Sequence, residues 1–175
     1  MSLNNNFKFS LVIVFLLSSV ISCKKNSTGI SPIITSGRVT LNSKIENYTG
    51  HGFSFSNGTV ISIPNSEGIM VDMIVAVQIT DFGVTGVFFG SPEFRSSFQL
   101  NSCVDTEDSA KTIFNNLMEI TDTTFQNLAI PVKKNQIWVV KTDENKYAKL
   151  LIIETDAYDD STNINAITYF ITTYN

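Results

Sequence analysis

The chain has 175 residues, of which 43% are hydrophobic and 16% charged, with a formal net charge of −4. That length is room for one domain, and the apolar content excludes a wholly disordered chain. The acidic balance argues against a nucleic-acid binder, which needs a basic face. The 19 Ser, 18 Thr and 17 Asn, with 13 Phe, favour strands and turns over long surface helices.

The first element is an apolar run, Leu11 to Ile21, behind a polar start that carries Lys8. As a helix it spans roughly 17 Å, short of the about 30 Å of a bilayer core. It therefore reads as the core of a signal peptide, residues 1–22, not as a membrane span. The run ends in Val20-Ile21-Ser22-Cys23, with an aliphatic residue, a small residue before the cleavage point, and a cysteine after it. This resembles a bacterial lipobox. The resemblance implies diacylglycerol transfer to the Cys23 thiol, cleavage after Ser22, and a membrane partner held through several acyl chains. One chain alone anchors only marginally. Lipidation of Cys23 leaves Cys103 without an intramolecular disulfide partner, and Cys103 then reads as a small buried hydrophobe.

Residues 23–36, rich in Ser, Thr, Gly and Pro, read as a flexible tether from the lipid to a single domain at 37–175. Arg38–Leu41 is a short strand expectation. Apolar and polar residues alternate on both sides of Asn57-Gly58, which predicts a hairpin with a two-residue type I′ turn, closed by Pro64. Asp72–Thr80 alternates again, with Met73, Val75, Val77 and Ile79 on one face. Asp81-Phe82-Gly83 makes a turn, and the glycines at 83, 86 and 90 suggest a bulge or close backbone approach. Phe94 and Phe98 fall in a poorly patterned, Ser-rich stretch.

Residues 106–120 carry Ala110, Ile113, Phe114, Leu117, Met118 and Ile120 at helical spacing. Asp105 or Thr106 supplies the N-cap, and Glu107 and Asp108 suit the first turn. The last third predicts strands at 136–142, 146–155 and 166–172, with loops at 143–145 and 156–163. The strands with apolar residues on both faces belong in the middle of a sheet. The fold class is α+β: mostly antiparallel sheet, with one covering helix.

Three patches resemble the HmuY-like lipoproteins of Bacteroidota. They are Gly52-Phe53-Ser54-Phe55-Ser56-Asn57-Gly58, the Asp-led strand Val71–Val77, and the pair Ile137–Thr142 and Lys146–Leu150. The resemblance implies a mainly β, HmuY-like architecture and a ligand-binding lipoprotein at the outer membrane, with haem capture for iron acquisition in some members. Those members use paired axial side chains, often His. Here the only His is His51. A bis-His site cannot be built within one chain, and thioether ligation by Met70, Met73 or Met118 is a further route to a haem iron.

The residues themselves add few chemical signatures. No HExxH, CxxC, Gly-x-Ser-x-Gly or phosphate-cradling Gly loop is present. His51, between two glycines, reads as a loop histidine, with ligation as the functional alternative. Trp138 reads as core, with ligand stacking as its alternative. Asp156, Asp159 and Asp160 are the residues that would suit Ca²⁺, without EF-hand spacing. Lys141, Lys146 and Lys149 surround one hairpin and read as cross-strand charge partners. Asp72 reads as structural.

The expected function is therefore a non-enzymatic, envelope-anchored module that binds a small ligand or an envelope protein and no nucleic acid. The first alternative is an assembly subunit of an outer-membrane complex without a small-molecule site. The second is a hydrolase acting through convergent carboxylates.

Overall fold

The computed structural model describes residues 33–66, 68–120 and 124–174. The signal peptide, Cys23 and most of the expected tether lie outside the described residues. In chain order the elements are β1 (Ile33–Lys44), β2 (Thr49–Ser54), β3 (Thr59–Ile63), β4 (Met73–Thr80), β5 (Gly83–Gly90), β6 (Phe98–Cys103), α1 (Glu107–Asn116), β7 (Leu128–Val132), β8 (Gln136–Lys141), β9 (Tyr147–Asp159) and β10 (Ile164–Tyr174). The class is α+β, and every strand pair among the described residues is antiparallel.

The ten strands form one sheet in the order β6-β8-β9-β10-β1-β2-β4-β5-β7, with β3 on the free edge of β2. The sheet curls until its two ends meet. Phe98 at the start of β6 exchanges backbone hydrogen bonds with Gln126, two residues ahead of β7, at 3.0 and 2.7 Å. The result is a near-barrel, which leaves little edge exposed.

Its interior is set by alternation. Met73, Val75 and Val77 of β4, Val87 and Phe89 of β5, Leu150 and Ile152 of β9, and Phe170 of β10 all point into one cluster. Phe53 meets Phe55 and Phe170 edge-on, with ring centroids 5.1 and 5.5 Å apart. Each such buried side chain stabilises the fold by about 1.5–3 kcal/mol. The outer face of β8 and β9 carries Ile137 and Leu151, which Ala110 and Phe114 of α1 cover. These strands are buried on both sides, as their doubly apolar pattern requires.

Several expectations are corrected. β1 begins at Ile33, so residues 33–36, read as tether, pair with Thr172–Tyr174 of β10 or lie in the irregularity that follows. The β2–β3 hairpin turns through four residues, with the Gly58 N–H donating to the Phe55 carbonyl. Only Gly58 takes a positive φ there, so this is not the two-residue type I′ turn. The helix stops at Asn116, because Leu117 is already extended (φ −73°, ψ 92°). Thr106 is its N-cap, accepting the Ser109 N–H. Ile79 is 49% exposed, because a bulge between Gln78 and Ile79 turns the strand end outward.

β6 and β7 were not expected. β6 hides its single large inward residue, Phe98, among polar neighbours, and β7 contains Pro131. β9 and β10 extend through the expected 156–163 loop, leaving a tight turn at its tip. Cys103 is exposed and free, because β6 lies at the end of the sheet and the strand bulges at Leu100/Ser102. The expectation of a buried thiol is overturned.

Candidate functional site

A groove of about 390 Å³ opens on the outer face of β4, within the size range of small-molecule sites. Its floor is Ile74, which alternation turns away from the core residues Met73 and Val75. One wall is the connection from β3 to β4, which presents Ile69, Met70 and Val71. The other is the connection from β5 to β6, which presents Pro92, Glu93 and Arg95. Met70 is 55% exposed, an unusual position for a large thioether on a polar surface.

Both walls are held by local hydrogen bonds. Asn65 Nδ2 donates to the Ile69 carbonyl at 2.7 Å. Ser91, itself buried, accepts the Arg95 N–H on Oγ at 2.7 Å, and the Phe94 N–H donates to the Ser91 carbonyl. Further along, the Lys141 N–H donates to the Ser97 carbonyl at 2.7 Å. The floor depends on Gly52 of β2. A β-carbon there would lie 2.3 Å from Val71 Cγ1 and 3.1 Å from the Met73 carbonyl oxygen. Only glycine lets β2 approach the start of β4 this closely.

The cation of the groove is Arg95. Its Nε is buried and has no hydrogen-bond partner, and the guanidinium makes no ion pair among the described residues. Sequence reasoning passed over it, because a lone arginine in a Ser-rich loop carries no motif. The available signal was scarcity: Arg38 and Arg95 are the only two arginines in the chain.

The residues that the sequence singled out do not converge. Met73 is fully buried in the core. Trp138 is buried too, its Nε1–H donating to Gln136 Oε1 at 2.9 Å, so it is core and not a stacking platform. Met118 is 80% exposed beyond the end of α1, beside Leu117, Tyr147 and Lys149. His51 lines a different depression, with Thr49, Gly50 and Ser62, and its Nδ1 accepts the Asn42 N–H at 3.2 Å. Its imidazole therefore has only Nε2 left for any other partner. Met70 alone of these residues lies in the apolar groove.

The acidic residues are occupied locally. Asp160 Oδ1 accepts the N–H groups of Thr162 and Asn163 and the Thr162 hydroxyl, which holds its carboxyl down at about 2. Asp159 accepts the Ser161 N–H, and Asp156 pairs with Ile167 in the body of β9. Among the described residues no three His, Cys, Asp or Glu side chains gather to hold a metal. The suggested Ca²⁺ set of Asp156, Asp159 and Asp160 is thus not assembled: strand pairing and turn capping take its members apart.

The lysines behave individually. Lys146 pairs with Glu144 at 2.7 Å, while Lys149 donates to the carbonyls of Phe114 and Leu117 at the end of α1. Burial lowers the Lys149 pKa. The helix has no basic residue in its own last turn, so β9 supplies the cation that its dipole favours.

Asp72, in the second of the patches named above, is bonded to the first through Phe55 and to the turn between the two segments of the third through Asp143. Its Oδ2 accepts the Phe55 N–H at 2.8 Å, and its Oδ1 accepts the Asp143 N–H at 3.1 Å. The residue is buried, and burial pushes its carboxyl up to about 6 against the opposing pull of those two N–H groups.

Compared with known proteins, the chain matches no protein-family model, no curated protein and no solved structure.

Proposed function

We propose that the chain is a non-enzymatic binding module, held at the bacterial cell envelope by lipid on Cys23, whose ligand seats in the groove over Ile74. The observation that carries this reading is the groove itself: a concave, mostly apolar surface with an exposed thioether and one unpartnered cation. The link that Asp72 makes from its own HmuY-like patch to Phe55 of another, and to Asp143 in the turn between the segments of the third, supports an architecture of that kind. Haem remains one ligand to test, with Met70 as the side chain in reach of the groove. His51 lines a separate depression that shares only Ile63 with it.

The test has two parts. Mass analysis of the native protein should find a diacylglyceryl thioether on Cys23. The protein should also bind at least one compound from a screen of haem, siderophores and apolar acids, and a groove variant, Ile74→Glu, should abolish that binding. A bare Cys23 overturns the anchoring. Binding that is indifferent to Ile74→Glu overturns the site.

A second reading, an assembly subunit, has its own observation. Phe82 at the β4–β5 turn is 97% exposed, beside the outward-turned Ile79. Loss of a co-purifying envelope protein in Phe82→Ser, with ligand binding intact, favours that reading.

A further inference from the structure

Buried donors in folded proteins are almost always paired, and an unpaired one calls for a physical explanation. Arg95 Nε is such a donor, on a group that cannot shed its charge. Leaving it unsatisfied costs free energy, because the desolvated N–H has lost water without gaining an acceptor. The Arg95 backbone is pinned by Ser91 on both sides, Oγ accepting its N–H at 2.7 Å and donating to its carbonyl at 3.3 Å.

The surroundings indicate what is missing. On one side Arg95 borders the apolar groove. On the other it borders a polar depression of about 500 Å³ that also holds Lys141, Ser97 and Asp143. Arg95 therefore stands on the divide between an apolar groove and a polar depression. Lys141 likewise makes no ion pair among the described residues. The opposing charges are Glu93 at the rim of the groove and Asp143 in the depression. Neither pairs with Arg95.

Resting on the reading of this groove as a ligand site, we infer that it takes an amphipathic organic anion, whose apolar body lies over Ile74 and Met70 and whose carboxylate-type head is met by Arg95. A guanidinium matches such a head with two parallel N–H bonds, which an ammonium cannot do. The exposed Glu93 weakens an anion's binding and sets an upper limit on it, so its neutralisation should help.

The test uses the full chain, as the cell processes it, and two probes of the same shape. These are 2-naphthoate, which is anionic, and 2-naphthamide, which is neutral, each titrated calorimetrically. The wild-type protein should prefer the naphthoate by about tenfold, the equivalent of about 1.4 kcal/mol. Arg95→Gln should erase that preference by weakening the naphthoate alone, and Arg95→Lys should keep part of it. Glu93→Gln should strengthen the naphthoate and leave the amide unchanged. Equal affinity for the two probes in the wild type, or a preference that survives Arg95→Gln, overturns anion recognition while leaving the groove as a ligand site. If neither probe binds, the inference is overturned. If Ile74→Glu also leaves the binding of every screened compound unchanged, the groove itself is overturned as the site.

Discussion

The carboxylate of Asp72 accepts the backbone N–H of Asp143, a residue 71 positions away, while its other oxygen holds Phe55 in the β2–β3 turn. One buried acid thus fastens two hairpin turns at the same end of the sheet. Its ionisation is opposed by burial, which raises its pKa from 3.8 to about 6. The native state therefore holds that proton more tightly than the unfolded chain does. The stabilisation is complete below about pH 4 and is lost as pH rises through about 6, on the order of 2–3 kcal/mol. Asp72→Asn should flatten the stability difference between pH 4 and 7, measured by urea denaturation against the wild type. An identical pH slope in the two proteins would refute the assignment.

Lys149 is the C-terminal cap of a helix to which it does not belong. Lys149→Met keeps the aliphatic packing against Phe114 but leaves the Phe114 and Leu117 carbonyls without their cation. The expected loss is about 1–3 kcal/mol. Amide exchange should accelerate in α1 more than in β9. Uniform acceleration would place the role of Lys149 in the sheet instead.

Gly52 and Gly50 make a matched pair on β2. Gly52→Ala forces a methyl against Val71 and the Met73 carbonyl, and should cost about 1–3 kcal/mol. Gly50→Ala meets nothing closer than 3.6 Å and should cost much less. Because Val71 lines the groove, Gly52→Ala should also weaken probe binding. Thermal denaturation of both variants checks the first point and calorimetry the second.

The turn at Asp160 gives a prediction about cations. With its oxygens committed to Thr162, Asn163 and Asn165, the carboxylate offers little to Ca²⁺. Millimolar Ca²⁺ should leave the Tm unchanged. Asp160 is held at about 2, so its contribution is present above the ordinary carboxylate range and disappears as pH falls through that value. Asp160→Ala should lower the Tm at pH 7 and have no effect near pH 1. A Ca²⁺-dependent rise in Tm abolished by Asp160→Ala would restore the metal reading.

The sequence was most legible where one rule acted alone. Period-two alternation located β4, and doubly apolar runs located β8, β9 and β10 as central strands. Pro64 ended β3, and the acidic start of α1 located its N-terminus. Reading failed where tertiary partners decide. Phe98 looks stranded among serines until Trp138 and Val140 are seen in the same core. Leu117 and Ile120 keep a helical spacing, but the chain leaves the helix after Asn116. Of the groove, only Met70 was legible. Arg95 signifies nothing until the fold shows that its Nε has no acceptor.

The way β2 joins the sheet bears on what the groove can do. β2 meets β1 through two residue pairs, Ser43–Gly50 and Lys44–Thr49, and β4 through two more, Gly52–Ile74 and Phe53–Met73. By contrast, β9 and β10 are laced along eleven. The floor residue Ile74 is itself one of those few stitches. A guest lying over it presses on a sparsely sewn part of the fabric, so its arrival should tighten the weave there and leave the β8–β10 block untouched.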